Sequence, residues 1–345
     1  MQDLTPTSDS MSPEPMSPDS PTADAPEPDD AAPDDTAPAS PRERFRGVGP
    51  ALVTPMQADG SVDFYALADH TAWALTGGVH MVVACGTTGE GSTLSPDEQR
   101  DVLACCVEVV AGRVPVVAGC GGNETRAVAA LARAAEDAGA DGVLTVTPYY
   151  NKPPLSGLIS HFHAVSEACG LPVILYNVPG RTGTNVAPRD VLRIAAEVPG
   201  VVGVKEASGN LRQMMTLLIE RPDEFVVLSG DDDLTLPLLA LGGDGVVSVV
   251  ANEAPGPMAQ LYDAAMAGDW AEARDIHERL LPLMRANFVE TNPMPVKTAL
   301  ELMGRAPAQF RLPLVRIPAR HESRTILRAA LEEAGLIEPF TPPTI

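Results

Sequence analysis

Lysine is nearly missing from this chain: Lys152, Lys205 and Lys297 are three among twenty-four lysines and arginines in 345 residues. Arginine therefore does the ordinary cationic work. Each surviving lysine raises the question of what a guanidinium cannot do, and the answer includes losing a proton to become an amine nucleophile. Basic charge is scarce overall, and a net charge of −22 excludes the positive footprint of phosphate-backbone binders, so no nucleic-acid partner is expected. No apolar run approaches the length needed to cross a bilayer, so no membrane partner is expected either. The five cysteines (Cys85, Cys105, Cys106, Cys120 and Cys169) have neither metal-type nor paired spacing and read as small core residues. The N-terminus lacks the basic and apolar regions of a secretory signal, which makes the cytoplasm the expected compartment. The glycine clusters at 119–122 and 242–245 lack the Gly-Lys-Ser/Thr ending of a phosphate loop, and no His-Glu-x-x-His occurs. His161 and His163, two apart on a helix, are expected to face different sides and to be solvated rather than ligate a metal.

Apolar residues are missing locally as well. Residues 1–41 hold about ten acidic side chains, about ten prolines, no Lys or Arg and one large aliphatic residue, Leu4, too little to offset the entropy of ordering. A disordered acidic tail is expected there. From Gly47 onward, short β-branched runs recur every 20–35 residues: 48–53, 80–85, 114–119, 142–147, 172–177, 201–205, 225–229 and 245–250. Near-continuous Val, Leu and Ile is the pattern of strands buried on both faces, hence of a parallel sheet covered by helices. The stretches between carry helix punctuation, best seen where Ser95 can cap, Pro96 fits the first helical position and Glu98 completes a capping box for a helix through Val110. Further helices are expected over 125–138, 158–168, 188–197 and 211–220. Eight such units predict an α/β fold, a (β/α)8 TIM barrel over 42–250, followed by a helical extension over 251–345 with three helical patterns.

In a barrel of this kind, chemistry gathers at the C-terminal ends of the strands. Lys205 ends the apolar run Val201-Val202-Gly203-Val204, where desolvation favours the free amine. Lys152 lies in a Pro-rich loop and Lys297 at a Pro-flanked helix start, and both are expected to be surface or structural. Thr87 and Thr88 follow the second strand, Tyr149 and Tyr150 the fourth, Tyr176 closes the fifth, and Ser229-Gly230 the seventh. Tyrosine is scarce, five in all, and three of the five stand at these strand ends.

The same residues carry a resemblance. Gly86-Thr87-Thr88-Gly89-Glu90, Thr147-Pro148-Tyr149-Tyr150, Tyr176-Asn177-Val178-Pro179-Gly180-Arg181-Thr182, Val204-Lys205-Glu206-Ala207 and Ser229-Gly230-Asp231-Asp232 resemble the successive signatures of the dihydrodipicolinate synthase family of class I pyruvate aldolases. The resemblance spans about 47–339. The wider superfamily includes N-acetylneuraminate lyase and keto-deoxy sugar-acid aldolases, which leaves a sugar-acid lyase as the alternative, with a non-catalytic keto-acid sensor further off. The synthase reading is favoured by the Gly86–Glu90 loop, the Tyr149-Tyr150 pair and the stretch from Phe288 through Asn292 to Lys297.

The resemblance implies a Schiff base between Lys205 and pyruvate, condensed with L-aspartate 4-semialdehyde to 4-hydroxy-tetrahydrodipicolinate, a step of lysine and diaminopimelate biosynthesis. Tyr176 would shuttle protons through Thr87 and Tyr150, the last reaching in from a neighbouring subunit of a homotetramer or dimer of barrels. Thr87 and Thr88 would hold the pyruvate carboxylate, Arg181 the carboxylate of the aldehyde, and Gly230 and Val247 would border the pocket. No metal or nucleotide cofactor is implied, because the lysine itself is the electron sink. Where many relatives bind lysine as a feedback inhibitor, this chain reads Pro96, Gln99 and Ala127, with Asn123 and Tyr149 retained. Weak or absent inhibition by lysine is expected.

Overall fold

The computed structural model describes residues 39–339. Up to residue 38 the expected tail lies outside the described residues. Its last expected member, Pro41, instead opens a short helix, α1 (Pro41–Arg44), capped by a reciprocal Ser40/Glu43 box.

Eight strands follow: β1 (Gly47–Pro50), β2 (Val82–Ala84), β3 (Val116–Gly119), β4 (Gly142–Val146), β5 (Val173–Asn177), β6 (Val201–Glu206), β7 (Val226–Ser229) and β8 (Gly245–Ser248). All pair in parallel, each with its sequence neighbours, and β1 pairs with β8. The ring is completed by the bridge between Ala51 and Val83, with Leu52 N donating to Val83 O at 2.9 Å. The observed strands overlap all eight expected runs, most of them trimmed at their ends, while β1 begins one residue before its run and β6 ends one residue after. Around them lie α2 (Phe64–Thr76), α3 (Pro96–Val110), α4 (Thr125–Asp137), α5 (Leu155–Ala168), α6 (Pro179–Thr182), α7 (Pro188–Glu197), α8 (Leu211–Glu220) and α9 (Thr235–Ala240). The capping box of α3 forms as its sequence predicts. Helix α5 begins three residues earlier than expected, without a side-chain cap.

Alternation along the strands sorts the core into two layers. Val83, Val117, Leu144, Ile174, Leu228 and Val247 point inward and pack with Phe45, which rides on α1. Phe45 fits over the start of β4 because residue 142 is glycine: a Cβ there would meet the Phe45 ring at 2.9 Å. The residues of opposite parity, such as Val82, Val116, Val143 and Leu175, pack outward against the helices.

Strand β6 breaks this alternation at one point. Val173 of β5 pairs with Val201, but the next residue, Ile174, pairs with Gly203, so β6 carries one extra residue. Because side chains alternate with a period of two, one extra residue reverses the facing of everything after it. Val201 and Val204 therefore both pack outward, Val202 packs on the inner cluster, and Lys205 turns into the barrel. Glycine is required at the irregularity, since a Cβ on Gly203 would lie 2.7 Å from Val226 Cβ and 2.8 Å from its carbonyl oxygen.

After β8 come α10 (Pro255–Met266), α11 (Trp270–Ala286), α12 (Met294–Leu302) and α13 (Glu322–Glu333). These are four helices where three patterns were expected. Helix α10 packs against β1 and α2, so it completes the eighth strand–helix unit and the barrel runs past 250. The remaining helices share an apolar cluster that includes Ile276, Leu280, Leu283, Leu327 and Leu331. Among the described residues no helix is long and apolar enough to cross a membrane.

Replacing Gly203 by valine forces side-chain atoms into the β7 backbone. We expect a loss of about 1–3 kcal/mol, typical of overpacking, read from urea unfolding. An unchanged midpoint would mean that β6 can absorb the extra atoms and that its irregularity is not fixed by packing.

Candidate active site

Lys205 enters the barrel at its C-terminal end and is 6% exposed. Cross-strand register sets Tyr176 directly beside it, and its Nζ lies 4.3 Å from the centre of the Tyr176 ring. Among the described residues no carboxylate is hydrogen-bonded to this nitrogen. Burial therefore prevails: it draws the amine down from 10.5 to about 8, against the opposing pull of Asp231 and Asp232 and with a further downward push from Arg181. Burial also lifts the Tyr176 phenol to about 12, and a side-chain hydrogen bond with Thr87 works the other way. The lysine stem passes over Gly230, where a Cβ would lie 3.0 Å from Lys205 Cε. On the outward face of the same strand ends, Glu206 is fully satisfied. Its Oε2 accepts from Asn177 Nδ2 at 2.9 Å and Gln213 Nε2 at 3.0 Å, and its Oε1 accepts from Ser208 N at 2.8 Å. That network ties β5, β6 and α8 together directly behind the lysine.

The loop after β2 is held from the opposite side. Two non-glycine residues of positive φ, Cys85 (57°) and Glu90 (54°), bracket it, and such backbone needs support from its surroundings. Support comes from Lys297, whose Nζ donates to Glu90 Oε1 at 2.6 Å and to Thr54 O at 3.0 Å. Both side chains are buried. Of the two expected alternatives, surface or structural, Lys297 takes the second: it lies inside the protein and joins α12 to the loop carrying Thr87 and Thr88. The third lysine, Lys152, is exposed.

These elements enclose a cavity of about 530 Å³ whose wall includes Thr87, Thr88, Tyr176, Arg181, Lys205 and Gly230. Six of the eight expected site residues therefore meet in one place. The other two do not. Tyr150 is 88% exposed and absent from the wall, which Tyr149 joins instead. Val247 is buried in the inner barrel layer, and Val249, two residues further toward the strand's C-terminal end, is the one that lines the cavity. Among the wall residues that the sequence reading did not single out are Asp231 and Asn292, both inside quoted motifs. Asn292 Nδ2 donates to Thr88 Oγ1 at 3.0 Å, and its carbonyl oxygen accepts from Arg181 Nη2 at 3.3 Å. Cys85 also reaches the wall, with a thiol that burial raises well above its usual range. His161, expected to be solvated, is buried, with Nδ1 3.0 Å from Thr125 Oγ1, whereas His163 lies on the exposed face beside Glu167.

Comparison with known proteins bears on this geometry. Residues 44–334 match the model of the dihydrodipicolinate synthetase family. The chain is similar to the 4-hydroxy-tetrahydrodipicolinate synthase of Maridesulfovibrio salexigens, 50% identical over 293 residues, which are 85% of this chain and 99% of the relative. Among solved structures it is similar to the dihydrodipicolinate synthase of Thermotoga maritima, with a TM-score of 0.82, 44% identity, and coverage of 85% of this chain and 100% of the other. It is likewise similar to the enzyme of Cyanidioschyzon merolae with lysine bound, with a TM-score of 0.81, 39% identity, and coverage of 85% and 99%.

The buried Glu90–Lys297 pair makes a direct prediction. Lys297→Met leaves a carboxylate in the interior without its cation and should cost about 3–5 kcal/mol of stability. Adding Glu90→Gln to the same chain should return part of that loss. Urea unfolding of both variants is the measurement, and a single variant as stable as the parent would show that the pair is not what holds the loop.

Proposed function

The chain belongs to the dihydrodipicolinate synthetase family, and from that premise we propose that it condenses pyruvate with L-aspartate 4-semialdehyde through an imine on Lys205. The product is 4-hydroxy-tetrahydrodipicolinate, in lysine and diaminopimelate biosynthesis, made by a lyase of the class I aldolase type. One observation carries the assignment of residues. Of the three lysines, only Lys205 faces the cavity, and it has no hydrogen-bonded carboxylate to keep it charged.

In this reading the neutral amine attacks the ketone of pyruvate, and the carbinolamine loses water to give the imine. Loss of a methyl proton gives the enamine, whose carbon adds to the aldehyde. The new chain's own amino group then attacks the imine carbon, closing the ring and releasing Lys205. No metal or nucleotide takes part in this scheme, because the protonated imine accepts the electron pair. Tyr176, hydrogen-bonded to Thr87, carries protons to and from the carbinolamine and imine. Thr87 and Thr88 donate to the pyruvate carboxylate over Gly230. Arg181, its side chain steadied on the Asn292 carbonyl, clamps the carboxylate of the aldehyde. Tyr150 completes the relay only from a second copy of the chain. Its exposure beside a wall residue, Tyr149, supports a dimer of barrels or a tetramer.

Borohydride added with pyruvate should fix a covalent adduct on Lys205 alone, located by mass spectrometry, and Lys205→Arg should abolish it. The rate of trapping should rise about tenfold per pH unit below 8 and level off above it, since the reactive form is the amine and its proton leaves near pH 8. An adduct on Lys297 or Lys152, or a rate that falls with rising pH, would remove Lys205 from the mechanism.

Free lysine at about 1 mM should inhibit weakly or not at all. Glu124, the one nearby carboxylate able to replace a missing acceptor, caps its own helix, accepting from Arg126 N at 3.1 Å and Ala127 N at 2.8 Å. Gln99 Nε2 is engaged by Gly91 O at 2.8 Å, and Ala127 offers nothing. A ligand ammonium without a carboxylate partner loses about 1.5–3 kcal/mol. Initial rates against lysine at fixed substrates test this, with half-inhibition below 1 mM as the contrary result.

A further inference from the structure

One buried acid of this protein is left half-satisfied by the fold. Glu253 follows the short helical turn Val250–Asn252 at the end of β8, and it is fully buried. Its Oε2 accepts from Asn287 Nδ2 at 2.6 Å, but its Oε1 has no donor. Asn287, which ends α11, is equally buried, and its Oδ1 has no donor either. Two orphaned acceptors thus sit on two side chains that already touch. Buried acceptors without donors are rare in folded proteins, and two on one contact ask for a common cause. Among the described residues no cation pairs with Glu253, and the charged group that acts on it is Asp232, an anion. The titratable groups on the elements around it are engaged elsewhere. On α2, His70 meets Asn252 Oδ1 at 3.0 Å and Asp69 meets Arg305; on α12, Lys297 meets Glu90 and Glu301 meets Arg324. Asp263 and Tyr262 of α10 both meet the ring of His80. The charged residues of α11 are exposed, and its His277 lies about three turns before Asn287.

We propose that Glu253 is held as a neutral carboxylic acid paired edge to edge with the Asn287 amide, its Oε1–H donating to Asn287 Oδ1 while Asn287 Nδ2 donates to Oε2, and that this proton locks a segment of the cavity wall. A single proton removes both orphans. A carboxylate would not, because two bare acceptors would then oppose each other across the contact. Full burial beside the Asp232 carboxylate works in the same direction, disfavouring the charged form. The pair matters because of what it joins. Glu253 stands shortly after Val249 of the wall, and Asn287 directly precedes Phe288 and the stretch to Asn292, both also of the wall. Asn292 in turn holds Thr88 through Nδ2 and Arg181 through its carbonyl oxygen. Neither Glu253 nor Asn287 reaches the cavity, so both act by position.

Glu253→Gln keeps the shape and a donor for Asn287 Oδ1 while removing the group that titrates. A carboxyl that holds its proton more tightly in the folded chain stabilises most below its ordinary pKa of 4.5, and it loses that contribution as pH rises toward the folded value. Urea titrations of parent and variant from about pH 5 to about pH 8 read this, with other groups cancelling between the two. The unfolding constant of the parent should rise relative to that of Glu253→Gln by about tenfold per pH unit until the folded carboxyl ionises. Infrared difference spectra of the same two proteins at neutral pH should show the carbonyl stretch of a protonated acid. Asn287→Leu serves as the second variant. It should move that stretch toward the position of an unbonded carbonyl, and it should speed amide exchange over 288–292 at least about threefold, as expected when one hydrogen-bonded pair is lost.

Parallel pH profiles for parent and Glu253→Gln, or a carboxylate band in place of the acid one, would overturn the proposal and give the two oxygens to a bound cation or water. Unchanged exchange over 288–292 in Asn287→Leu would overturn the lock itself. None of these readouts needs a substrate, so the inference stands or falls apart from the condensation proposed above.

Discussion

The extra residue in β6 is the constraint on which the site depends. Eight parallel strands would form a barrel without it, and the outer helices would still find Val201 against them. Lys205 would then point outward, between sheet and helix, where no small molecule could reach it. Gly203 permits the irregularity by letting the strand lie against Val226 where a side chain would collide. Downstream of it the lysine faces the cavity and Glu206 faces outward into the Asn177–Gln213 network. Barrel, cavity-facing amine and supporting carboxylate thus share one local deviation from regular pairing.

Burial alone does not decide what a lysine can do, since the two buried lysines of this protein differ in partners and in access to the cavity. Desolvation weakens the charged form of each. Lys297 meets Glu90 at 2.6 Å and a carbonyl at 3.0 Å, so its hydrogens are committed and its nitrogen is walled off from the cavity. Lys205 has aspartates near enough to act through space but none in hydrogen-bond contact, and its nitrogen hangs over the Tyr176 ring. Partner geometry and access therefore separate the proposed nucleophile from the strut, and the strut in turn holds the loop that carries Thr87.

Much of this was legible in the sequence, for physical reasons that also mark the limits. The strands were visible because both of their faces are buried, which gives unbroken Val, Leu and Ile. That same continuity hid the parity of β6: Val201-Val202-Gly203-Val204 offers no polar residue to show which side faces in. Val247 was misplaced relative to Val249 for a related reason, since a run apolar throughout does not reveal how far its strand extends toward the cavity. Helix α2 escaped notice because apolar residues surround most of it, leaving no polar stripe to set its period. Helix α10 was assigned to the extension because only packing against β1 shows that it closes the barrel. Tyr150, expected at the site, is exposed and lies outside the cavity wall of its own chain, which a strand-end position in the sequence does not reveal.

The electrostatics of the cavity follow from how each acid is spent. Asp232, in the turn after β7, reaches the end of β8, where its charge is met by the N–H groups of Val249 and Val250 and the Ser248 hydroxyl. Such a carboxylate fixes the β7–β8 corner and has little left to offer a ligand. Glu253, buried with one oxygen unpartnered and the other accepting from Asn287 Nδ2, has its carboxyl pushed well above the usual carboxylate range by burial. Asp231, pushed to about 6 by burial and by Asp233, remains partly open to solvent at the cavity wall, so water can solvate a carboxylate that no described side chain meets.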